Sequence, residues 1–264
     1  MAMTALTLSM HGATAVLTMN RPQARNALDE QMREDFTRLI PQVRDDRAIK
    51  AVVLTGAGGH FCAGGDIKSM QATVAGKQDV FDSRNRMLGL HRWFDELLDM
   101  EKPVISAVQG SAFGAGLSLA LAGDFVLAAP SAKFCCVFAK IGFVPDLAGM
   151  YLLPRLVGLQ TAKELAFTAR VVAADEAQQL GMVYKLTSED VLAEALAFAE
   201  RFASAPTEAI GYTKRVMNRA FETQRAEVYQ QEALAQTLCR ESAFHQEAIA
   251  RFVGKQPPLY QWQD

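Results

Sequence analysis

Apolar and polar positions alternate from Thr4 to Met19. Leu6 and Leu8 fall on one face, His11-Gly12 offers a turn, and the alternation resumes from Ala15 to Met19, a pattern that predicts a β-hairpin ended by Asn20-Arg21-Pro22. From Asp29 to Val43 the period changes: Met32, Phe36, Leu39, Ile40 and Val43 recur at helical spacing, so this stretch is an amphipathic helix. Ala51 to Thr55 is a short apolar run stopped by Gly56, as expected of a strand buried on both faces. A helical stretch from Phe81 to Leu98, a buried strand from Pro103 to Val108, an apolar helix after Gly116 and a further strand from Phe125 to Ala129 follow. Strand, helix and strand in alternation indicate an α/β core over about the first two-thirds of the chain. Beyond Thr161 the pattern is helical, with Met182 to Leu186 the last strand expected. The polar stretch from Gln71 to Arg86 reads as a mobile loop that would shape specificity.

Composition narrows the function classes. With 264 residues, 50% hydrophobic and 21% charged, the chain can build a large core. Its net charge of −2 provides no general attraction for nucleic acid or an anionic membrane, so a small-molecule partner is expected. The four cysteines, Cys62, Cys135, Cys136 and Cys239, form no CxxC and suggest neither a zinc site nor a thioredoxin-type motif, and no metal is expected. The N-terminus lacks a basic segment followed by an apolar run, and each hydrophobic run is interrupted before membrane-spanning length, so a cytoplasmic protein is expected.

Two glycine-rich turns carry the candidate chemistry. His60 to Ile67 directly follows a buried strand and lets a ligand approach the main chain. Gly114-Ala115-Gly116-Leu117-Ser118 stands between a strand and a helix whose first N–H groups lack intrahelical acceptors. If both lie at one end of a sheet, two N–H groups can converge on a carbonyl oxygen and stabilise an oxyanion. The alternative is that these glycines serve tight turns and close helix packing alone. Neither turn carries a GK[ST] or opens a helix with GxGxxG, which disfavours nucleotide and dinucleotide binding.

Asn20-Arg21-Pro22 with Asn26-Ala27-Leu28, Phe61 to Ile67, Pro103-Val104-Ile105 with Gly110 to Gly116, Gly123-Asp124, the Gly142 to Asp146 loop and Leu153 to Gly158 follow one another in a set order. In that order and spacing the chain resembles the enoyl-CoA hydratase/isomerase (crotonase) superfamily over nearly its whole length. The resemblance implies an α/β fold: a spiral of ββα units over residues 1–200, holding an acyl-CoA site, and a C-terminal helical region over 201–264 that drives assembly into a homotrimer or a dimer of trimers. It implies no tightly bound cofactor, with coenzyme A entering as part of the thioester substrate. By position, Ala63 and Ala115 would supply the oxyanion-hole N–H groups. Arg25, Ala63, Gly65, Asp66, Ile67, Lys68, Phe252 and Lys255 would hold the CoA portion, the last two in some arrangements from a neighbouring subunit. Each of these cations has the alternative of being a solvated surface charge.

Hydratases of this superfamily carry two glutamates, where this chain has Ser118 and Phe138, and neither replacement activates water unaided. The remaining acid or base is Asp146, flanked by Phe143, Val144 and Leu147, where desolvation would raise its pKa toward a useful value. Its alternative role is a turn residue capping the next helix. The stretch through Leu153-Pro154-Arg155 looks like the ring-opening and double-bond isomerases of phenylacetyl-CoA breakdown, which implies proton abstraction, a thioester enolate and reprotonation at another carbon. Met70, His91, Ser118, Phe138 and Phe143 are candidates for the acyl pocket. Competing expectations are hydratase or hydrolase activity, a dehalogenase-like substitution using Asp146 and His91, and a non-catalytic acyl-CoA-binding scaffold.

Overall fold

The fold is that of a computed structural model, which describes residues 4–69, 71, 76 and 79–262. The N-terminal hairpin forms from β1 (Leu6–His11) and β2 (Thr14–Met19), with His11 opposite Thr14. The turn is therefore Gly12-Ala13, one residue later than the pattern suggested. Gly12 takes φ +57°, and a two-residue hairpin loop favours glycine at a central position with positive φ.

Residues Glu30–Asp45 form α1, started by Asp29, whose carboxylate accepts the Met32 N–H. All five predicted apolar positions are buried, as is Asp35. The Asp35 carboxylate accepts the backbone N–H groups of Ala5 (3.0 Å) and Leu6 (3.2 Å), tying α1 to the start of β1. Asp35→Ala leaves both donors buried and unpaired; urea unfolding is expected to show a loss of about 2–3 kcal/mol.

Beyond α1 come β3 (Ala51–Gly56), α2 (Val80–Leu98), β4 (Val104–Val108), β5 (Ser111–Phe113), α3 (Ala115–Leu121), β6 (Phe125–Ala128) and β7 (Lys133–Cys135). The larger sheet runs β1-β2-β3-β4-β6-β9, where β9 is Lys185–Leu186, and every pairing after the hairpin is parallel. Successive residues point to opposite faces. Val52 and Leu54 join the cluster that includes Met32, Phe36 and Trp93, whereas Ala51 and Val53 join Ile105, Leu127, Ala195 and Phe198 on the other side. That second face is covered by α7 (Val191–Glu200), so β3 and β4 are buried at every position.

A smaller sheet was not legible in the pattern. It consists of β5, β7 and β8 (Val171–Ala173) in the order β5-β7-β8, and Cys62 bridges to Ala112 beside it. Segments 110–116 and 161 onward carry the pattern of a turn and of helix; three-residue strands are too short to show a period and exist by pairing with distant partners. After β2, β3, β4 and β6 the chain enters a short strand or an isolated bridge and then a helical segment, which is the expected spiral of ββα units. Two other readings are corrected. Only Lys185–Leu186 of the Met182 to Leu186 strand forms, while Met182 and Val183 are buried in the turn before it. The supposed loop to Arg86 is helical from Val80.

The chain continues through α4 (Gly149–Val157), α5 (Leu159–Thr168), α6 (Ala174–Gln179) and α8 (Thr207–Asn218). Buried Lys214 fastens α8 to the core, its Nζ donating to the Asp124 carboxylate at 2.8 Å and the Lys102 carbonyl at 3.2 Å. The final helices, α9 (Arg225–Arg240) and α10 (Ala243–Val253), have no buried residue.

Candidate active site

The two glycine turns meet at the ends of β3 and β4. Cys62 donates to the Ser111 carbonyl at 2.8 Å and accepts from the Phe113 N–H at 2.9 Å, which locks the first turn onto β5. Gly64, at φ +97°, lies so close to the second turn that an added Cβ would come within 2.7 Å of the Phe113 carbonyl oxygen and 3.5 Å of the Ala115 nitrogen. Asn26, fully buried and unremarked as a functional residue in the sequence, braces the arrangement. Its amide donates to the Ala57 (2.8 Å) and His60 (2.7 Å) carbonyls, and its Oδ1 accepts from Arg21 N–H at 2.9 Å. In sequence this asparagine is indistinguishable from a solvated turn residue.

Hydrogen bonding decides which N–H groups can serve a ligand. Arg25 adopts a left-handed conformation, φ +49°, and its carbonyl accepts the Ala63 N–H at 2.9 Å. The assignment of Ala63 as an oxyanion donor is therefore corrected: its hydrogen already has a well-placed acceptor. Gly64 N–H faces the Cys62 sulfur at 3.4 Å, and Asp66 N–H reaches the Leu28 carbonyl at 3.3 Å. Leu28 makes its parallel bridge to Gly65 through the flanking Gly64 carbonyl and Asp66 N–H, so the Gly65 N–H itself has no acceptor among the described residues. In the second turn, Leu117 and Ser118 N–H groups both close on the Gly114 carbonyl. Ala115, the first residue of α3, has a backbone N–H without an acceptor among the described residues, as a helix start requires.

The Asp66 side chain is engaged within the protein. One carboxylate oxygen accepts the N–H groups of Lys68 (2.9 Å) and Ser69 (3.2 Å), and the other pairs with Arg21 at 3.0 Å. Burial acts to raise its pKa, but the Ser69 N–H, Arg21 and the Lys68 N–H together hold it below the ordinary carboxylate value. Arg25, Ile67 (56% exposed) and Lys68 stand at the surface beside the turns. Phe252, 82% exposed, and Lys255 lie at the end of the chain's last helix, where no described contact joins them to residues 63–68. Met70 lies outside the described residues.

Asp146 is largely buried, and its Oδ1 is buried with no hydrogen-bond partner among the described residues. Burial lifts its pKa to about 6, with His91 and its own backbone N–H acting in the opposite direction. The helix-cap alternative does not hold, because the residue before α4 is Ala148 and no side chain caps that helix. Instead Leu147 (φ +44°) and Ala148 (φ +54°) both occupy left-handed backbone, an uncommon conformation for residues with side chains. The Asp146 carbonyl accepts from Ser118 Oγ at 2.8 Å and from the Gly149 N–H at 2.8 Å. Phe138 is buried on the 3-10 turn Val137–Ile141, and Phe143 is 56% exposed on the loop. A cavity of about 840 Å³ lies next to the loop, lined among others by His91, Phe94, Leu121, Ala148, Tyr151 and Leu152; of the predicted pocket residues it takes in His91, while Ser118, Phe138, Phe143 and Asp146 itself are not in its lining. Its size suits a small-molecule ligand. No three metal-ligating side chains converge among the described residues.

A sequence profile described as enoyl-CoA hydratase/isomerase matches residues 9–264. The 1,2-epoxyphenylacetyl-CoA isomerase of Escherichia coli (strain K12) is 34% identical over 249 residues, covering 92% of this chain and 93% of that protein. The crotonyl-CoA hydratase of Syntrophomonas wolfei is 36% identical over 243 residues, covering 91% of this chain and 92% of the relative. Among solved structures, an enoyl-CoA hydratase/isomerase from Cupriavidus metallidurans CH34 superposes with a TM-score of 0.91 at 33% identity, each chain covered completely.

Proposed function

The chain belongs to the enoyl-CoA hydratase/isomerase family, and from that premise we propose that it shifts a double bond in an unsaturated or ring-derived acyl-CoA, with Asp146 as acid and base. The observation that carries this reading is the Asp146 carboxylate, whose Oδ1 is buried without a partner among the described residues, on a loop anchored to the helix that begins with the Ala115 N–H. Ionised Asp146 removes an acidic proton from the acyl group, and the electron pair of the broken C–H bond moves through the conjugated system onto the thioester oxygen. The Gly65 and Ala115 N–H groups stabilise the negative charge there. The Asp146 carboxylic acid then returns its proton at a different carbon, so the double bond moves and no atom is gained or lost. A pKa near 6 suits both transfers, since ionised and protonated forms are each accessible near neutral pH.

The acyl portion would lie against Asp146 and the Gly65 and Ala115 N–H groups, and the exposed Arg25, Ile67 and Lys68 would hold the CoA portion, joined on assembly by Phe252 and Lys255. Exposure of Leu234, Leu238, Ile249, Phe252 and Val253 on the last two helices supports residues 201–264 as an oligomerisation region for a trimer or dimer of trimers. Among the described residues no helix is long and apolar enough to cross a membrane; a cytoplasmic location is part of the proposal.

Hydration is the second reading, because relatives of similar identity are named hydratases. Ser118 and Phe138 stand where a hydratase of this family needs its glutamates, which weighs against it. Product analysis by mass spectrometry separates the two, using enoyl-, dienoyl- and aryl-CoA esters in heavy-oxygen water. Isomerisation leaves the mass unchanged, hydration adds labelled water and hydrolysis releases free CoA. Labelled hydration product as the main outcome would overturn the isomerase reading.

A further inference from the structure

We propose that Ser118 is a positioning residue for Asp146, its buried hydroxyl holding the aspartate's main-chain carbonyl so that the carboxylate hangs at a set place relative to the Ala115 N–H. The proposal rests on Asp146 being the acid and base. Ser118 is 2% exposed and lies one helical turn after Ala115 on α3, so the oxyanion donor and the anchor of the base are carried by the same rigid turn. Its hydroxyl donates to the Asp146 carbonyl at 2.8 Å, and the Gly149 N–H donates to the same oxygen at 2.8 Å. Two donors thus define the carbonyl direction, and through it the peptide planes beside Asp146.

The next two residues need such a clamp. Leu147 and Ala148 both have positive φ, and conformations of this kind persist only where the surroundings over-determine them. Gly149 shows how closely the loop is drawn down: a Cβ placed there would come within 2.7 Å of Ser118 Oγ and 3.3 Å of Pro145 Cβ. The same closeness bears on reaction type. A side chain longer than serine at position 118 must push the loop outward, so a hydratase-style glutamate there and Asp146 as now placed exclude one another. The titratable groups facing Asp146 are His91 from α2 and Cys136 from the segment after β7.

The test is solvent deuterium exchange into the α-carbon of phenylacetyl-CoA, read by mass spectrometry across the neutral pH range, because exchange reports enolate formation directly. Ser118→Ala is expected to slow exchange roughly 10- to 100-fold, the cost of a misplaced catalytic group, with the ester still bound as by wild type. Its acid limb should move below the wild-type position near 6, because a released Asp146 regains solvent. Ser118→Cys, a weak donor of similar size, should fall between the alanine variant and wild type in both rate and limb. A wild-type rate and limb in Ser118→Ala, or in Ser118→Cys should the alanine variant not fold, overturns the positioning role while an inert Asp146→Asn leaves the acid-base reading standing. Wild-type exchange in Asp146→Asn, or none in the wild-type enzyme, overturns that underlying reading instead.

Discussion

An Asp146→Asn enzyme is expected to bind CoA esters as wild type does and to turn them over about 10²- to 10⁴-fold more slowly, the range associated with losing a positioned acid-base group. The amide matches the carboxylate in shape, and the loop is held through the main-chain carbonyl rather than the side chain, so the geometry survives. In wild type the ionised form is the base, so kcat/KM should rise with pH through about 6. Stability should move the other way. Between the ordinary value of 3.8 and about 6 the folded protein binds this proton more tightly than the unfolded chain does. The stabilisation is complete below the lower value and is lost as pH rises through the higher, leaving a penalty on the order of 2–3 kcal/mol at neutral pH. Asparagine carries no such penalty. Thermal unfolding should therefore find the inactive variant more stable than wild type near neutral pH and no better in acid. Equal melting at both pH values would mean that the carboxylate is not desolvated.

Gly116→Ala is expected to damage both stability and catalysis. Gly116 does not need a glycine backbone, since its φ is not positive, but an added Cβ would fall on the Cys62 carbonyl oxygen. A main-chain carbonyl bonded to the Phe113 N–H cannot swing aside as a flexible side chain can. The methyl must therefore drive the first turn of α3 away from the Cys62 to Gly65 turn. Overpacking of this kind costs about 1–3 kcal/mol. Separation of the Gly65 and Ala115 N–H groups should lower kcat by about 10²- to 10³-fold, as loss of one oxyanion donor does. Urea unfolding and turnover of the CoA-ester panel check the two effects. Gly89→Ala is the control: this exposed position in α2 has no described residue within 4 Å of an added Cβ, so it should gain about 0.5–1 kcal/mol of stability at unchanged turnover.

The parts of the fold legible in the sequence are those whose pattern repeats often enough to establish a period. Met32, Phe36, Leu39, Ile40 and Val43 mark one face of α1 because sixteen residues make more than four turns. The strands β3 and β4 announce themselves as continuous apolar runs because helices cover both of their faces. By contrast, β5, β7 and β8 have three residues each, and Ser111 or Lys133 becomes a strand residue through its partner and not through its own neighbours. The candidate site divides in the same way. Asp146 stands out as a carboxylate among apolar residues, and its raised pKa follows from that setting. The choice of Gly65 over Ala63 as a donor does not stand out, because it turns on a carbonyl at Arg25, bent over by a left-handed residue remote in sequence.

Order along the chain alone was enough to establish the alternating strand and helix layers, the two glycine turns at strand ends and the one acidic residue poised in an apolar loop. These depend on side-chain chemistry and local spacing, which a sequence states outright. Folding decided which main-chain hydrogens remain available and made Ser118 an anchor for Asp146. Every backbone N–H is chemically alike in a sequence; only the position of a distant acceptor separates an occupied donor from one free to meet a substrate.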